Sequence, residues 1–227
     1  MSDDPSRISA AHIMIDVVAD PTCPWCHVGI ASLKKAAPRA AAELGREVRV
    51  RFRPYQLNPD LPEDGIDRQA YYARKFPDET ARAKMRETLI EAARAVGLDF
   101  DPSAPRQLPN SLKAHQLIRF GAVNGRQQET VDAIYRAFWE KLDDIGDTDV
   151  LIEIATEIGL DPEKARDALT GTGQETRQEA DAMRAAGVTG VPTFIVNEYA
   201  GFAGALPPDD LTAAILHAAA AKVADPH

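Results

Sequence analysis

The sequence is poor in cysteine: Cys23 and Cys26 are the only two among 227 residues. A framework of several structural disulfides is therefore excluded. No second Cys-x-x-Cys and no paired-histidine motif accompanies the two thiols, so the further ligands of a tetrahedral zinc site are missing and no metal is expected. A purely structural disulfide over so short a spacing closes a loop too small to stabilise the fold much. The sequence therefore predicts a redox-active pair.

Positive charge and long apolar runs are also scarce. The chain has 26 basic and 35 acidic residues, a net charge of −9, which disfavours nucleic acid and anionic membranes as partners. No apolar run approaches the roughly 20 residues of a membrane span. Residues 1–11 carry charges and lack the apolar stretch of a signal peptide, so we predict a cytoplasmic protein. In that compartment, paired cysteines are usually catalytic or redox-sensing.

The two cysteines form the motif Cys-Pro-Trp-Cys, between a strand-like apolar run at 13–19 and a helix-compatible stretch. Pro24 suits the first turn of that helix, because the N–H that it lacks would be unpaired there. Cys23 then takes the N-cap position, where free N–H groups and the helix dipole favour a thiolate and lower the pKa of the thiol. We predict that Cys23 is the exposed, attacking sulfur and that Cys26 is the recessed, resolving one.

The remaining strand signals fall on either side of a long helical stretch. Residues 47–52 alternate charged and apolar side chains, which predicts a second strand parallel to the first. From about 66 to 186, helical periods replace strand patterns. Residues 191–196 and 199–204 then predict a hairpin, which a last helix follows. The order is βαβ, a helical insertion, then ββα, and we expect a kink or break at Pro38 in the first helix.

The helical stretch contains a locally basic segment at residues 67–94. Opposite charges are interleaved there, which is typical of a solvated helix face, and an acidic peptide partner is the alternative. The basic residues of this segment are Arg68, Arg74, Lys75, Arg82, Lys84, Arg86 and Arg94. The insertion has no cysteine and no nucleophile–base pair, so we expect it to shape access to a single site.

Several segments together resemble the DsbA family of thioredoxin-fold proteins, and more narrowly its FrnE-like branch. They are residues 17–26 with the Cys-Pro-Trp-Cys motif, 53–59, 109–111, 114–115, 144–147, 190–194 and 203–208. The resemblance spans nearly the whole chain. It implies an α/β protein with a thioredoxin-like fold (βαβ-ββα), formed by residues 11–62 and 187–225. An all-helical domain would be inserted between the two halves, at residues 63–186.

The same resemblance implies a cis bond between Val191 and Pro192, next to the dithiol. The backbone of Val191 could then pair with an extended substrate peptide, with Trp25 beside it, because no proline N–H competes. The candidates for a supporting role are Pro24, Asp20, His27 and His115. His27 would stabilise the thiolate if protonated, or would face solvent. His115 would look toward the cysteines, or would lie on a helix surface.

These residues predict a thiol–disulfide oxidoreductase of the oxidase or isomerase type, acting on protein or peptide thiols. Cys23 and Cys26 are its catalytic residues, no cofactor or metal is bound, and glutathione is a candidate co-substrate. A lowered Cys23 pKa would make the couple moderately oxidising. One alternative is a glutathione-dependent isomerase or transferase of the hydroxychromene-carboxylate isomerase and kappa type, whose members typically carry serine at the position of Cys23. The other is a redox-regulated chaperone.

Overall fold

A four-stranded sheet and the helices packed on it make up residues 12–221, the part of the chain that the computed structural model describes. In chain order, the elements are β1 (His12–Ala19), α1 (Pro24–Leu44), β2 (Glu47–Pro54), β3 (Ile66–Asp67), α2 (Arg68–Lys75), α3 (Glu79–Val96), β4 (Gln107–Leu108), α4 (Leu112–Val123), α5 (Gln127–Arg136), a π-helical turn (Ala137–Lys141), α6 (Thr148–Glu157), α7 (Pro162–Thr170), α8 (Gln174–Ala185), β5 (Thr193–Val196), β6 (Ala200–Ala203) and α9 (Pro208–Ala220). The sheet order is β2-β1-β5-β6, with β1 parallel to β2 and antiparallel to β5. The predicted thioredoxin-like fold with a helical insertion is confirmed.

The central strand β1 is buried along most of its length. Ile13, Ile15 and Val17 are fully enclosed, and apolar side chains of this size gain free energy by leaving water. Strands on both sides pair with its backbone, so that Val17 lies opposite Phe52 of β2 and Phe194 of β5. Because β1 lies inside the sheet, its carboxyl end brings the cysteine motif over the middle of the core.

Helix α1 begins directly at the motif. Cys23 is its N-cap and Pro24 occupies the first turn, as the sequence predicts. The helix ends at Gly45, whose φ of 61° is a left-handed conformation that glycine adopts readily. The expected break at Pro38 does not occur, because α1 is continuous. Pro38 lies on the exposed side of the helix, and the buried side, which includes Leu33, stays packed on the core.

The stretch between β2 and β5 is mainly helical and shares one core with the sheet. Leu117, Ile134 and Leu151 from its helices belong to the same buried cluster as Ile15 of β1. The prediction of a wholly helical stretch is wrong in one respect, since β3 and β4 form a small antiparallel pair. Strands of two residues carry too little periodicity to be recognised in a sequence. Among the helices of residues 12–221, none combines the length and apolarity that a membrane span requires.

Candidate active site

The two sulfurs of the motif differ in burial and in surroundings. Cys23 is 5% exposed and Cys26 is 0% exposed, so Cys23 is more enclosed than the sequence predicts, although Cys26 is the deeper of the two. The thiol of Cys23 points to the carbonyl oxygen of Val191, at an Sγ–O distance of 3.7 Å. Burial, and then the hydrogen bond with Cys23, raise the pKa of the Cys26 thiol. Cys26 is therefore protonated at neutral pH.

The segment that contains Val191 and Pro192 lies against the motif. Its peptide bond is cis, as the resemblance implies. The small size of Gly29 in α1 permits this close approach, because a Cβ at Gly29 would lie 2.8 Å from Pro192 Cγ and 3.4 Å from Phe194 Cζ. Trp25 is half-buried and packs against the core. No sequence pattern indicates this role of Gly29, since nothing local to α1 shows what packs on it.

The side chain of Asp20 ties the loop before the motif to the chain that follows β2. Asp20 is 1% exposed. Its Oδ1 accepts hydrogen bonds from the N–H and the hydroxyl of Thr22, both at 2.9 Å, and its Oδ2 accepts from the N–H of Leu57 at 2.7 Å. The carbonyl oxygen of Asp20 also accepts from the N–H of Cys23 at 3.0 Å. Asp20 therefore positions the start of the motif.

Two aromatic residues of the helical stretch hold the same loop. The Tyr135 hydroxyl donates to the carbonyl oxygen of Asp20 at 2.9 Å, and Nε1 of Trp139 donates to that of Pro21 at 3.0 Å. Trp139 and Tyr135 are 1% and 3% exposed, so these bonds are screened from water and an unpaired carbonyl would be costly. No sequence pattern indicates the bonds of Tyr135 and Trp139 to the motif loop.

His27 lies in an aromatic cluster and not at the surface. Its ring stacks on Tyr135 and meets Phe100, at centroid distances of 5.5 and 5.1 Å. Burial, and to a smaller extent the charge of Lys34, lower its pKa from 6.5 to about 4. Its Nε2 has no hydrogen-bond partner, and the 4.0 Å contact with Glu140 is not an ion pair while the ring is neutral. Both expectations for His27, a charge beside the thiolate and a solvent-facing ring, are wrong.

His115 is also buried, at 4% exposure, so the expectation of a helix-surface position is wrong. Its Nε2 lies 3.1 Å from the carbonyl oxygen of Tyr55. Burial lowers the pKa of His115, while the carboxylate of Asp20 acts in the opposite direction. His115 thus borders the loop that leads to Cys23. Within residues 12–221, no group of three or more His, Cys, Asp or Glu side chains is arranged to hold a metal ion.

Comparisons with known proteins agree with this geometry. A family model described as a DSBA-like thioredoxin domain matches residues 14–216. The uncharacterized protein YwbO of Bacillus subtilis is 29% identical over 189 residues, which cover 82% of this chain and 88% of YwbO. The crystal structure of the probable DsbA oxidoreductase SCO1869 from Streptomyces coelicolor has 27% identity and a TM-score of 0.81, covering 93% of this chain and 92% of that one. The cytosolic disulfide reductase DsbM from Pseudomonas aeruginosa, solved with GSH, has 19% identity and a TM-score of 0.61, covering 88% and 96% of the two chains, and supports the fold alone.

Proposed function

Because the chain belongs to the DsbA-like thioredoxin family, we propose that it is a thiol–disulfide oxidoreductase acting on protein thiols through Cys23 and Cys26. The observation that carries the proposal is the inequality of the two sulfurs. Cys23 caps α1 and contacts the Val191 carbonyl, whereas Cys26 is fully enclosed and has a raised pKa. A dithiol built in this way uses one sulfur to meet the substrate and the other to release it.

The exchange conserves atoms and electrons. In reduction, the thiolate of Cys23 attacks a substrate disulfide, its S–S bond breaks, and the released substrate thiolate takes up a proton. Cys26 then loses its proton and attacks the Cys23 sulfur, so that the second substrate thiol leaves and a Cys23–Cys26 disulfide forms. Two electrons pass to the substrate, and the reverse sequence oxidises a substrate dithiol. Because Cys26 is protonated at neutral pH, the first attack falls to Cys23.

The segment at Val191 and Pro192 is the proposed site for the substrate backbone, with Trp25 beside it. Support comes from the 3.7 Å contact between the Cys23 sulfur and the Val191 carbonyl, since a peptide bound to this segment would have its sulfur next to Cys23. We further propose a cytoplasmic location and glutathione as a co-substrate. The relative DsbM is a cytosolic reductase that was solved with GSH, and glutathione is the main thiol buffer of the cytosol.

Single serine variants test the assignment of the two sulfurs. We expect Cys23→Ser to abolish exchange with a disulfide-containing protein substrate. We expect Cys26→Ser to retain the first step and to accumulate a mixed disulfide that mass spectrometry detects. Alkylation of the reduced wild-type protein should modify Cys23 before Cys26 at neutral pH. If Cys26 reacts first, the proposal is wrong. It is also wrong if a variant with both changes, Cys23→Ser and Cys26→Ser, retains the full activity of the wild-type protein, as a chaperone would.

The direction of catalysis is tested by equilibrating the dithiol with glutathione buffers. We expect a potential above the roughly −270 mV of thioredoxin, which fits an oxidase or isomerase. A potential at or below that value would leave a general reductase and would overturn the oxidising assignment, without affecting the roles of Cys23 and Cys26.

A further inference from the structure

Arg68, the first residue of α2, is a buried cation without an ionic partner. Arg68 is 7% exposed, and its Nε has no hydrogen-bond partner. No carboxylate within residues 12–221 forms an ion pair with it. Asp101 acts on Arg68 electrostatically, but the two oxygens of Asp101 accept hydrogen bonds from Arg86 at 3.0 and 2.7 Å. An enclosed charge of this kind is destabilising unless something supplies the opposite charge.

The neighbours of the Arg68 guanidinium are aromatic rings. Its central carbon lies 4.6 Å from the ring centroid of Tyr72 and 5.5 Å from that of Trp139. Such cation–π contacts offset part of the loss of hydration. A ring does not replace a carboxylate, which binds along the N–H edge of a guanidinium. Tyr72 also forms a side-chain hydrogen bond with Arg68, but a tyrosine hydroxyl is neutral. Within residues 12–221 the cation therefore has aromatic and neutral polar contacts but no paired carboxylate.

The cluster of Arg68, Tyr72 and Trp139 borders the dithiol. Trp139 donates its Nε1–H to the carbonyl oxygen of Pro21, two residues before Cys23. Burial raises the pKa of Tyr72, the Arg68 cation lowers it, and Cys23 contributes a smaller rise, so Tyr72 is near both Arg68 and Cys23. A ligand group held by Arg68 would thus lie within the reach of a small thiol compound bound at Cys23.

Arg68 differs from the rest of the basic segment at residues 67–94. The other basic residues of that segment are exposed or half-buried: Arg74, Lys75, Arg82, Lys84, Arg86 and Arg94. For those residues, the solvated helix face that the sequence indicated is sufficient. It does not explain Arg68, which is enclosed beside Tyr72 and Trp139.

We propose that Arg68 binds a carboxylate of the thiol or disulfide substrate while its sulfur reacts at Cys23. This inference rests on the proposed function and adds a charge preference to it. The carboxylate belongs either to glutathione, which has two, or to an acidic residue of a protein substrate. An arginine fork matches a carboxylate with two parallel hydrogen bonds, which makes Arg68 a specificity-determining residue.

A binding measurement tests the proposal without any redox chemistry. S-methylglutathione, whose sulfur cannot exchange, is titrated into the wild-type protein by calorimetry and compared with its diester, in which both carboxylates are esterified. We expect the diester to bind roughly 10- to 100-fold more weakly, the range for losing a hydrogen bond to a charged group. In Arg68→Gln, S-methylglutathione should bind as weakly as the diester does. Arg68→Lys should recover part of the difference, and Arg94→Gln, an exposed control from the same segment, should leave binding unchanged.

Kinetics identify the source of the carboxylate. The substrates are glutathione disulfide, the uncharged 2-hydroxyethyl disulfide, and a pair of peptide disulfides that carry either glutamate or glutamine beside the cysteine. For Arg68→Gln we expect kcat/KM with glutathione disulfide to fall roughly 10- to 100-fold and that with 2-hydroxyethyl disulfide to stay unchanged. If the acidic residue of a protein is the source, S-methylglutathione binds the wild-type protein no better than its diester, and the selective loss appears with the glutamate peptide.

Several results would overturn the inference. An equal loss of kcat/KM with all substrates would show that Arg68 supports the fold and does not bind a substrate. Equal binding of S-methylglutathione and its diester, together with equal rates for the two peptides, would show that no carboxylate is bound. If the wild-type protein exchanged with none of the disulfides but still bound S-methylglutathione through Arg68, the proposed function would fail and the carboxylate site would stand.

Discussion

The loop that precedes Cys23 is held from two sides, and the two sides differ in the interactions they use. On the sheet side, the Asp20 carboxylate bonds to neighbours along the chain and to the N–H of Leu57. On the helical side, Tyr135 and Trp139 donate to the backbone carbonyls of Asp20 and Pro21. The helical stretch therefore contributes hydrogen bonds to the motif loop in addition to packing against it. The sheet side sets the direction of the chain, and the helical side fixes the loop in place.

The surroundings of the two sulfurs repeat this difference. Cys23 is next to the polar carbonyl of Val191, whereas Cys26 is enclosed together with the aromatic cluster that includes His27 and Tyr135. These surroundings of Cys23, which we call the polar edge of the site, fit its proposed role as the sulfur that meets a substrate. The surroundings of Cys26, which we call the enclosed side of the site, fit its proposed role as the thiol that stays protonated until the second step of the exchange.

The largest effect is expected for His27 on the enclosed side at acid pH. Its pKa is about 4 in the folded protein and 6.5 ordinarily, so the unfolded chain takes up the proton first. The stability that the neutral ring contributes is complete above pH 6.5 and is lost as the pH falls toward 4. The loss amounts to roughly 3 kcal/mol, at about 1.4 kcal/mol for each pKa unit.

Urea unfolding at a series of pH values measures this dependence. His27→Phe should remove much of the slope between pH 6.5 and 4. The matched variant is His115→Gln, because burial lowers the pKa of His115 in the same direction. If His27→Phe keeps the wild-type slope while His115→Gln removes it, the pH-sensitive group lies beside Asp20 and our account of the enclosed side is wrong.

An intermediate effect is expected for Trp139→Phe on the helical side. The change keeps an aromatic ring but removes the Nε1–H that bonds the Pro21 carbonyl at 3.0 Å. We expect a loss of about 1–3 kcal/mol in the free energy of unfolding, because the carbonyl is left unpaired. The control is Trp25→Phe, the same change at a half-buried position, and its loss should be smaller. Equal losses would mean that the bond to the motif loop contributes nothing.

The smallest effect on stability is expected for Gly29→Ala at the polar edge. The new Cβ would lie 2.8 Å from Pro192 Cγ, and such overpacking costs about 1–3 kcal/mol. Alanine gains about 1 kcal/mol over glycine in a helix, which offsets part of this. We expect a net loss of about 1 kcal/mol in unfolding free energy and a larger relative loss of turnover, since the segment at Val191 moves away from Cys23.

The control for Gly29→Ala is Gly190→Ala, because a Cβ at Gly190 meets no atom within 4 Å, so its stability should not fall. Stability is followed by urea unfolding and turnover by the disulfide exchange assay. A fully active Gly29→Ala variant would show that the contact with Pro192 does not position the site.

Much of the site could be predicted from local patterns. The apolar strand, the N-cap at Cys23 and the proline in the first turn each depend on a few neighbouring residues, and the structure has them as predicted. The continuous course of α1 through Pro38 was not predicted, because packing of the buried side of the helix outweighs the local preference of proline.

The sequence by itself identified the candidate redox pair, since Cys23 and Cys26 are the only two thiols and their spacing places both in one helical turn. It also determined the order of the four strands of the main sheet and of the helical stretch between them, because hydrophobic periods are local properties of the chain. Only the tertiary structure decided the surroundings of those thiols. Tyr135 and Trp139 lie 115 and 118 residues from the carbonyls that they bind, and the neutral His27 and the enclosed Arg68 owe their states to burial by distant segments. Burial and long-range hydrogen bonds depend on which surfaces meet in space, and no local pattern records that.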